Sequence, residues 1–321
     1  MEAPNYRNLK FASILDLNLG EGRRPKNESV WRVGEAFIAN MQRAYSHILL
    51  PMKLMSFCTI QGLAAGITAD EQDPEARNNR ISVEIDKIKQ QIDEDPRKYH
   101  EFRLDMFRRL LENWLYYNEE ITNDLEIAMI SFIVDTWSAF EIVAADLWEV
   151  ALNESAQLAV VAINSDPREG EKSFQKSEVL RFIENAIKDG EDILPGTLLK
   201  RTQKFDFQSY DGVRYAYRSA FTVKATDELL DAQDFRDLDV LDSLRNCFVH
   251  RGGITDKRFR SRAAKNRVTF KDFDLDEIEE GQKLAIDGDV VKRLLDSTIC
   301  AAVKLVHFVD GALLVPYTPK G

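Results

Sequence analysis

The chain has 321 residues, of which 44% are hydrophobic and 30% are charged, and its formal net charge is −11 at pH 7. This length and composition allow a sizeable hydrophobic core and exclude wholesale disorder. The acidic balance argues against broad nonspecific binding to nucleic acid, so a nucleic-acid partner would need a local basic surface.

The cysteines and histidines predict that the protein resides in a reducing compartment and binds no metal. The three cysteines, Cys58, Cys247 and Cys300, lie far apart and form no disulfide framework, which indicates a cytoplasmic protein. The four histidines are dispersed, and no Cys-x-x-Cys or His-Glu-x-x-His spacing occurs. We therefore expect no metal and no cofactor. The first residues do not form a basic, apolar leader, so we also expect no secretory signal.

Helical patterns dominate the N-terminal part. A helix is predicted to begin near Val30 behind the candidate cap residues 27–29. The apolar run 48–67 is interrupted by a proline and by polar side chains, which favours a buried helix over a membrane span. Residues 80–95 indicate a solvated helix, and an amphipathic helix is predicted to begin at Tyr99.

The C-terminal part is predicted to form a helical bundle. The apolar segment 125–152 is the predicted central helix, and a short helix is expected at 177–188. The segment 226–250 is a further predicted helix, ended by Gly252 and Gly253. Two strand-like stretches, 267–270 and 283–287, predict a small hairpin before the last helix, 290–314. A soft boundary near residue 120 divides the chain into an N-terminal helical region, 1–120, and a second domain, 121–321.

An Arg-x4-His motif is formed by Arg245 and His250, and Asn246 follows the arginine. The motif ends a predicted helix and precedes a long C-terminal helix. On these features, residues 125–314 resemble the HEPN (higher eukaryotes and prokaryotes nucleotide-binding) ribonuclease superfamily. The apolar helix around Ser138, Phe140 and Glu141 also resembles an early bundle helix of that family.

The resemblance implies an all-α, HEPN-like bundle with a small β-hairpin before the last helix and an N-terminal helical extension. It also implies a metal-independent endoribonuclease that acts on RNA as a homodimer, of the kind found in toxin–antitoxin and anti-phage systems. An antitoxin or sensor protein is a candidate partner, and no membrane is expected. The alternative is a noncatalytic module that binds RNA, a nucleotide or a protein.

Metal-free RNA cleavage needs a proton taken from the 2′-hydroxyl, a proton given to the 5′-oxygen, and stabilisation of the phosphorane charge. Histidine titrates near neutral pH, so His250 suits the proton transfers. Arg245 stays cationic and can hold two phosphate oxygens. Asn246 is expected to orient His250 or the RNA. The plainer alternative is a helix-terminal histidine beside a structural arginine ion pair.

The helix geometry bears on how the motif residues are used. At about 100° per residue, Arg245 falls inside the apolar arc of its helix and about 140° from His250. A buried cation needs a carboxylate, a phosphate or a subunit interface. The separation predicts that two subunits together form the cleft. Glu141 is a candidate counter-charge for Arg245, or simply a surface residue. His307, set among apolar neighbours, is predicted to be a core histidine.

A basic stretch follows the motif. Seven cations accompany one acid, Asp256, between residues 251 and 267. Such a cluster would supply the local positive field that the chain otherwise lacks. The alternative is an ordinary solvated surface loop. The candidate RNA-binding cations are Arg251, Lys257, Arg258, Arg260 and Arg262.

Overall fold

A computed structural model of the chain describes residues 24–95, 119–165, 194–201, 205–221, 223–266, 269–270, 273–274 and 279–314, except 69, 71, 285 and 287. The helices in these residues are α1 (Glu28–Ile67), α2 (Pro74–Glu94), α3 (Glu119–Glu154), α4 (Ala156–Asn164), α5 (Pro195–Arg201), α6 (Tyr210–Ala220), α7 (Val223–Leu230), α8 (Gln233–Arg251), α9 (Lys257–Asn266) and α10 (Gly288–Leu314). The predicted all-α fold class is confirmed.

The described residues divide into two compact units. One contains the described parts of 43–132 and of 285–289, and the other contains 24–42 with the described parts of 133–284 and 290–314. The boundary predicted near residue 120 stays a prediction, because residues 96–118 lie outside the described part of the chain. The helices predicted from Tyr99 and at 177–188 also lie outside it.

The core of the second unit is built around the C-terminal half of α3. Trp137, Phe140 and Trp148 are fully buried there, which agrees with a central helix at 125–152. The indole N–H of Trp148 donates to the carbonyl oxygen of Ala216 in α6 at 2.9 Å. The hydroxyl of Tyr217 in α6 donates back to the carbonyl oxygen of Ala144 at 2.9 Å. Trp148 and Tyr217 thus bury their rings while their polar atoms keep hydrogen-bond partners, which fixes α6 against α3.

The start of α1 agrees with the predicted cap, but the helix is longer than the sequence pattern predicts. The side-chain oxygen of Asn27 accepts the backbone N–H of Val30 at 3.1 Å. The two stretches predicted as separate helices form one helix of 40 residues that runs through Pro51. An interior proline removes one backbone hydrogen bond, which a long helix can tolerate.

The helix α8 is ended by Gly252 and Gly253, as the sequence predicts. Gly252 has φ +60°, and its N–H donates to the carbonyl oxygen of Phe248 at 3.1 Å. Gly253 has φ +84°, and its N–H donates to the carbonyl oxygen of Cys247 at 3.1 Å. Both conformations favour glycine, so the pair stops the helix and turns the chain.

One alternative and one prediction for the chain beyond α8 are wrong. Residues 257–266 form the helix α9, so the alternative of a surface loop does not hold there. Asp256 caps the start of α9 by accepting the backbone N–H of Phe259 at 2.7 Å. The small hairpin pairs β1 (Thr269–Phe270) with β2 (Phe273–Asp274), not with 283–287. Lys283 instead bridges to Ile254, because the backbone near it is used to hold the turn after α8.

Among the described residues, two helical segments, Asn123–Glu154 and Gly288–Leu314, are long and apolar enough to cross a membrane by length and composition. In each, half of the most apolar stretch is buried inside the structure. Core helices pass the same test, so this property alone assigns no membrane location.

Candidate functional site

A cleft of about 380 Å³ lies between the C-terminal half of α8, the helix α9 and the segment that leads into α6. The segment before α6 contributes Asp206, Gln208 and Ser209, and the turn before α9 contributes Asp256. The helices contribute Ser243, Arg245, Asn246, Cys247, His250 and Arg251 from α8, and Arg258, Phe259 and Arg262 from α9.

The cleft brings together most of the residues singled out from the sequence. Those that line it are Arg245, Asn246, His250, Arg251, Arg258 and Arg262. Arg245 and His250 therefore share one cleft of a single chain, so their angular separation does not by itself require a second subunit. Lys257 and Arg260 are exposed on α9 but are not among the lining residues.

Arg245 lies partly buried at the wall of the cleft. Its Nη1 donates a hydrogen bond to the side-chain oxygen of Asn246 at 2.8 Å. Its Nε is buried and has no hydrogen-bond partner within the described residues. Burial raises the pKa of the half-buried Glu141 in α3, the charge of Arg245 opposes that rise, and Asp206 and Asp242 add to it. Glu141 is thus within electrostatic reach of Arg245, as a counter-charge must be.

Asn246 is held by a buried carboxylate. Its Nδ2 donates to Oδ1 of Asp242 at 2.7 Å, while its Oδ1 accepts from Arg245. The expectation was that Asn246 orients His250 or the RNA. In this structure its amide binds Arg245 and Asp242, and a role toward His250 or the RNA stays a prediction.

Asp242 is fully buried and forms the centre of an ion-pair cluster. Its Oδ2 accepts from Arg262 Nη1 at 2.8 Å and from the backbone N–H of Tyr210 at 3.2 Å. Burial raises the pKa of Asp242, whereas the hydrogen bonds from Arg262 and Tyr210 oppose the rise. Desolvation thus outweighs the attraction of the arginine at this carboxylate.

The guanidinium of Arg262 is paired with acidic side chains. Its side chain is 14% exposed, and its Nη2 donates to Asp211 at 2.8 Å. Asp239 lies 3.7 Å from its Nη1. Burial would lower the pKa of Arg262, but the hydrogen bond to Asp242 and the nearby acidic charges raise it. Arg262 is therefore not a candidate for binding phosphate, because its Nη1 and Nη2 already donate to carboxylates.

Sequence reasoning missed Asp242, although α8 contained a usable signal. Asp237, Asp239 and Asp242 alternate with apolar residues along this helix, and all three are buried. Buried carboxylates need paired donors. Their spacing therefore indicated that cations from elsewhere in the chain must reach α8.

His250 is exposed at the end of α8 and faces the cleft. Next to it, Arg251 pairs with Asp256 at 2.9 Å and remains more than half exposed. Arg258 is exposed as well. The accessible cations of the cleft are thus accompanied by the acids Asp206 and Asp256.

Cys247 lines the cleft but is not a candidate nucleophile. Burial raises the pKa of its thiol to about 11, with a contribution from Asp256 that Arg251 opposes. The sulfur donates to the carbonyl oxygen of Ile254 at 3.2 Å. The thiol therefore stays protonated near neutral pH, and a protonated thiol is a poor nucleophile.

His307 is exposed on α10, so the prediction of a core histidine is wrong. Its apolar sequence neighbours Leu305 and Val306 point inward, while the helical turn carries His307 to the surface. Within the described residues, no three His, Cys, Asp or Glu side chains are grouped so as to hold a metal ion.

Comparison with known proteins found no match to any protein-family model, to any curated protein or to any solved structure. The HEPN resemblance therefore rests on the spacing of Arg245 and His250, on the adjoining Asn246, and on the place of the motif at a helix end.

Proposed function

We propose that the cleft binds the phosphodiester backbone of RNA and that the chain is a metal-independent endoribonuclease of HEPN type. The observation that carries the proposal is that Arg245 and an exposed His250 line one cleft together with exposed cations of α8 and α9. A proton-transfer group and a phosphate-binding group are the minimum that cleavage by the 2′-hydroxyl requires.

The reaction is an attack of the 2′-oxygen on phosphorus. His250 accepts the 2′-hydroxyl proton as the bond from O2′ to phosphorus forms. The imidazolium of His250 then gives that proton to the 5′-oxygen as the bond from phosphorus to O5′ breaks. Arg245 holds the nonbridging oxygens, whose negative charge grows in the phosphorane. The products are a 2′,3′-cyclic phosphate and a 5′-hydroxyl.

We further propose that the chain acts in the cytoplasm as a homodimer, in a toxin-like or anti-phage role with an antitoxin or sensor protein as partner. Val249 and Ile254 flank the end of the motif helix, and each is 49% exposed. A second copy would cover this apolar surface and bring two motif helices together. Light scattering should therefore report a dimer. A strictly monomeric protein that still cleaves RNA would contradict the dimer.

A noncatalytic module that binds RNA, a nucleotide or a protein is the second candidate. It is favoured by the acids Asp206 and Asp256 among the lining residues, because carboxylates repel phosphate. It differs from the first candidate in one respect that can be measured, since it predicts binding without cleavage.

The deciding experiment is RNA cleavage in EDTA by the wild type and by His250→Ala. We expect the wild type to release 2′,3′-cyclic phosphate ends and the variant to lose roughly 10²-fold or more in rate. His307→Ala is the matched control, because it removes an exposed histidine outside the cleft. Products with 5′-phosphates, or a strict need for divalent ions, would overturn the mechanism. Binding without cleavage would establish the module.

A further inference from the structure

We infer that Asp242 is a positioning residue for Arg245, acting through the amide of Asn246 and secured from α9 by Arg262. The inference rests on the proposed function for its catalytic meaning, since Arg245 is the group proposed to hold the phosphate. Its structural content is independent of that function. A buried carboxylate decides how a partly buried arginine is held at the cleft.

The hydrogen-bonding types leave one arrangement. An ionised carboxylate only accepts, so Asn246 must turn its Nδ2 toward Asp242, 2.7 Å away. The amide oxygen of Asn246 then necessarily faces the other way, where Arg245 Nη1 donates to it at 2.8 Å. Asp242 therefore sets which end of the amide Arg245 meets.

Arg245 depends strongly on this contact. Within the described residues, the side-chain hydrogen bond that the structure gives to Arg245 is the one to Asn246, and its Nε has no partner. Without an acceptor on Asn246, the guanidinium would retain the electrostatic attraction of Glu141, which does not fix its orientation.

Arg262 secures the other side of the carboxylate. Its Nη1 binds Oδ2 of Asp242, and its Nη2 binds Asp211 of α6. The two oxygens of Asp242 thus have different hydrogen-bond partners. Oδ1 orients Asn246, while Oδ2 receives Arg262 and the backbone N–H of Tyr210. The chain of contacts connects α6 and α9 to the orientation of Arg245.

The test is Asp242→Asn, which keeps the size of the side chain. Two donors face the Oδ2 position, so the new amide oxygen must occupy it and the new amide nitrogen must face Asn246. Asn246 then turns its own oxygen inward and presents a donor to Arg245. We expect kcat for RNA cleavage to fall roughly tenfold to a hundredfold with a smaller change in KM, as for other residues that orient a catalytic group.

A double variant provides a rescue that a merely structural role would not give. In Asp242→Asn with Asn246→Asp, the amide and the carboxylate exchange places. The new amide donates to residue 246, and the carboxylate there accepts from Arg245. We expect the double variant to recover most of the lost kcat. A double variant no more active than Asp242→Asn would overturn the inference.

Asp237→Asn is the matched control for the loss of a buried carboxylate from α8. Asp237 is 2% exposed and accepts from Ser297 at 2.7 Å and from Arg293 at 3.2 Å, away from the cleft. Its substitution should lower stability without selectively lowering kcat. Equal loss of kcat in the two single variants, after correction for the folded fraction, would contradict positioning by Asp242.

A second readout needs no RNA. In ¹⁵N-labelled protein, the guanidinium signals of Arg245, assigned with Arg245→Lys, should show slow rotation in the wild type and in Asp237→Asn. They should show fast, averaged rotation in Asp242→Asn. If Asp242→Asn fails to fold, Asn246→Ala removes the same acceptor and should give the same fast rotation. Unchanged rotation would overturn the inference. Wild-type protein that shows the predicted rotation but cleaves no RNA would overturn the proposed function alone.

Discussion

Asp310 in α10 accepts the backbone N–H of Asn27 at 2.7 Å, although the two residues are 283 positions apart in the sequence. The same carboxylate accepts the N–H of Lys26 at 3.0 and 3.1 Å. Asp310 is buried, and Asn27 in turn caps the first turn of α1. The last helix therefore fixes the chain where it enters the first.

The variant Asp310→Ala should lower the free energy of unfolding by about 1.5–3 kcal/mol, the usual range for hydrogen bonds to a charged group. Urea denaturation provides the measurement. Asp296→Ala is the control, because Asp296 is an exposed carboxylate of the same helix that pairs with Lys292 in the i,i+4 geometry. Its loss should cost at most about 0.5 kcal/mol. Similar costs for the two variants would show that the cap is not stabilising.

The two glycines after α8 should respond differently to alanine. Both have positive φ, so each substitution carries the strain of a left-handed conformation, about 1–2 kcal/mol. A Cβ at Gly253 would also lie 2.9 Å from Cε1 of Phe248, whereas a Cβ at Gly252 would meet nothing within 4 Å. We expect Gly253→Ala to lower the melting temperature more than Gly252→Ala. Equal shifts would mean that the Phe248 ring moves aside at no cost.

The end of α8 could be predicted because its signal is local. Gly252 and Gly253 stop the helix through their own backbone freedom. The helix α9 was missed because its residues show no apolar periodicity, the main sequence signal of a helix. Phe259 is its one buried apolar residue among those whose side chains are described, so no apolar periodicity shows. Much of its support comes from the Asp256 cap and from the ion pairs of Arg262.

The candidate site was predictable only where residue type alone indicates the chemistry. Arginine suits phosphate binding and histidine suits proton transfer near neutral pH, and for this reason the sequence predicted Arg245 and His250 as site residues. The ion pairs of Arg262 could not be predicted, because Asp242 and Asp211 lie 20 and 51 residues before it in the chain. The sequence suggested that Arg262 binds phosphate. In the structure its guanidinium pairs with the carboxylates of Asp242 and Asp211.

The stability of the ion-pair cluster should depend on pH in a defined direction. Burial raises the pKa of Asp242, so the folded protein holds this proton to a higher pH than the unfolded chain does. Ionisation of Asp242 therefore costs stability as the pH rises from about 4, the ordinary carboxyl value, through the raised pKa. As the pH rises above about 4, the free energy of unfolding of Asp242→Asn, measured by urea denaturation, should increase relative to that of the wild type. A difference that does not change with pH would contradict this.

Glu149→Gln provides a control with the opposite sign. Burial alone would raise the pKa of Glu149, but hydrogen bonds from Lys200 and Thr197 outweigh it and lower that pKa. The stabilisation by Glu149 is therefore present above its ordinary pKa and is lost as the pH falls through the lowered one. Glu149→Gln should lose stability relative to the wild type as the pH rises through the range just below about 4.5.

The last prediction separates phosphate binding from proton transfer. Arg258 and Arg260 are exposed residues of the same helix, but Arg258 lines the cleft and Arg260 does not. Replacing either arginine by alanine removes one positive charge. If RNA lies in the cleft, Arg258→Ala should weaken binding of a 2′-deoxy-blocked RNA more than Arg260→Ala. It should also reduce the slope of log affinity against log salt by about 1.

His250→Ala should give the reverse pattern. Its binding and salt slope should stay close to those of the wild type while cleavage is lost, because a proton-transfer group acts in the transition state and a phosphate contact acts in both states. The pH dependence of cleavage by Arg258→Ala should match that of the wild type. Equal effects of Arg258→Ala and Arg260→Ala would indicate a general surface field instead of a bound strand. If neither variant changed the affinity at low salt, RNA binding by α9 would be excluded, and the function would rest on Arg245 and His250 alone.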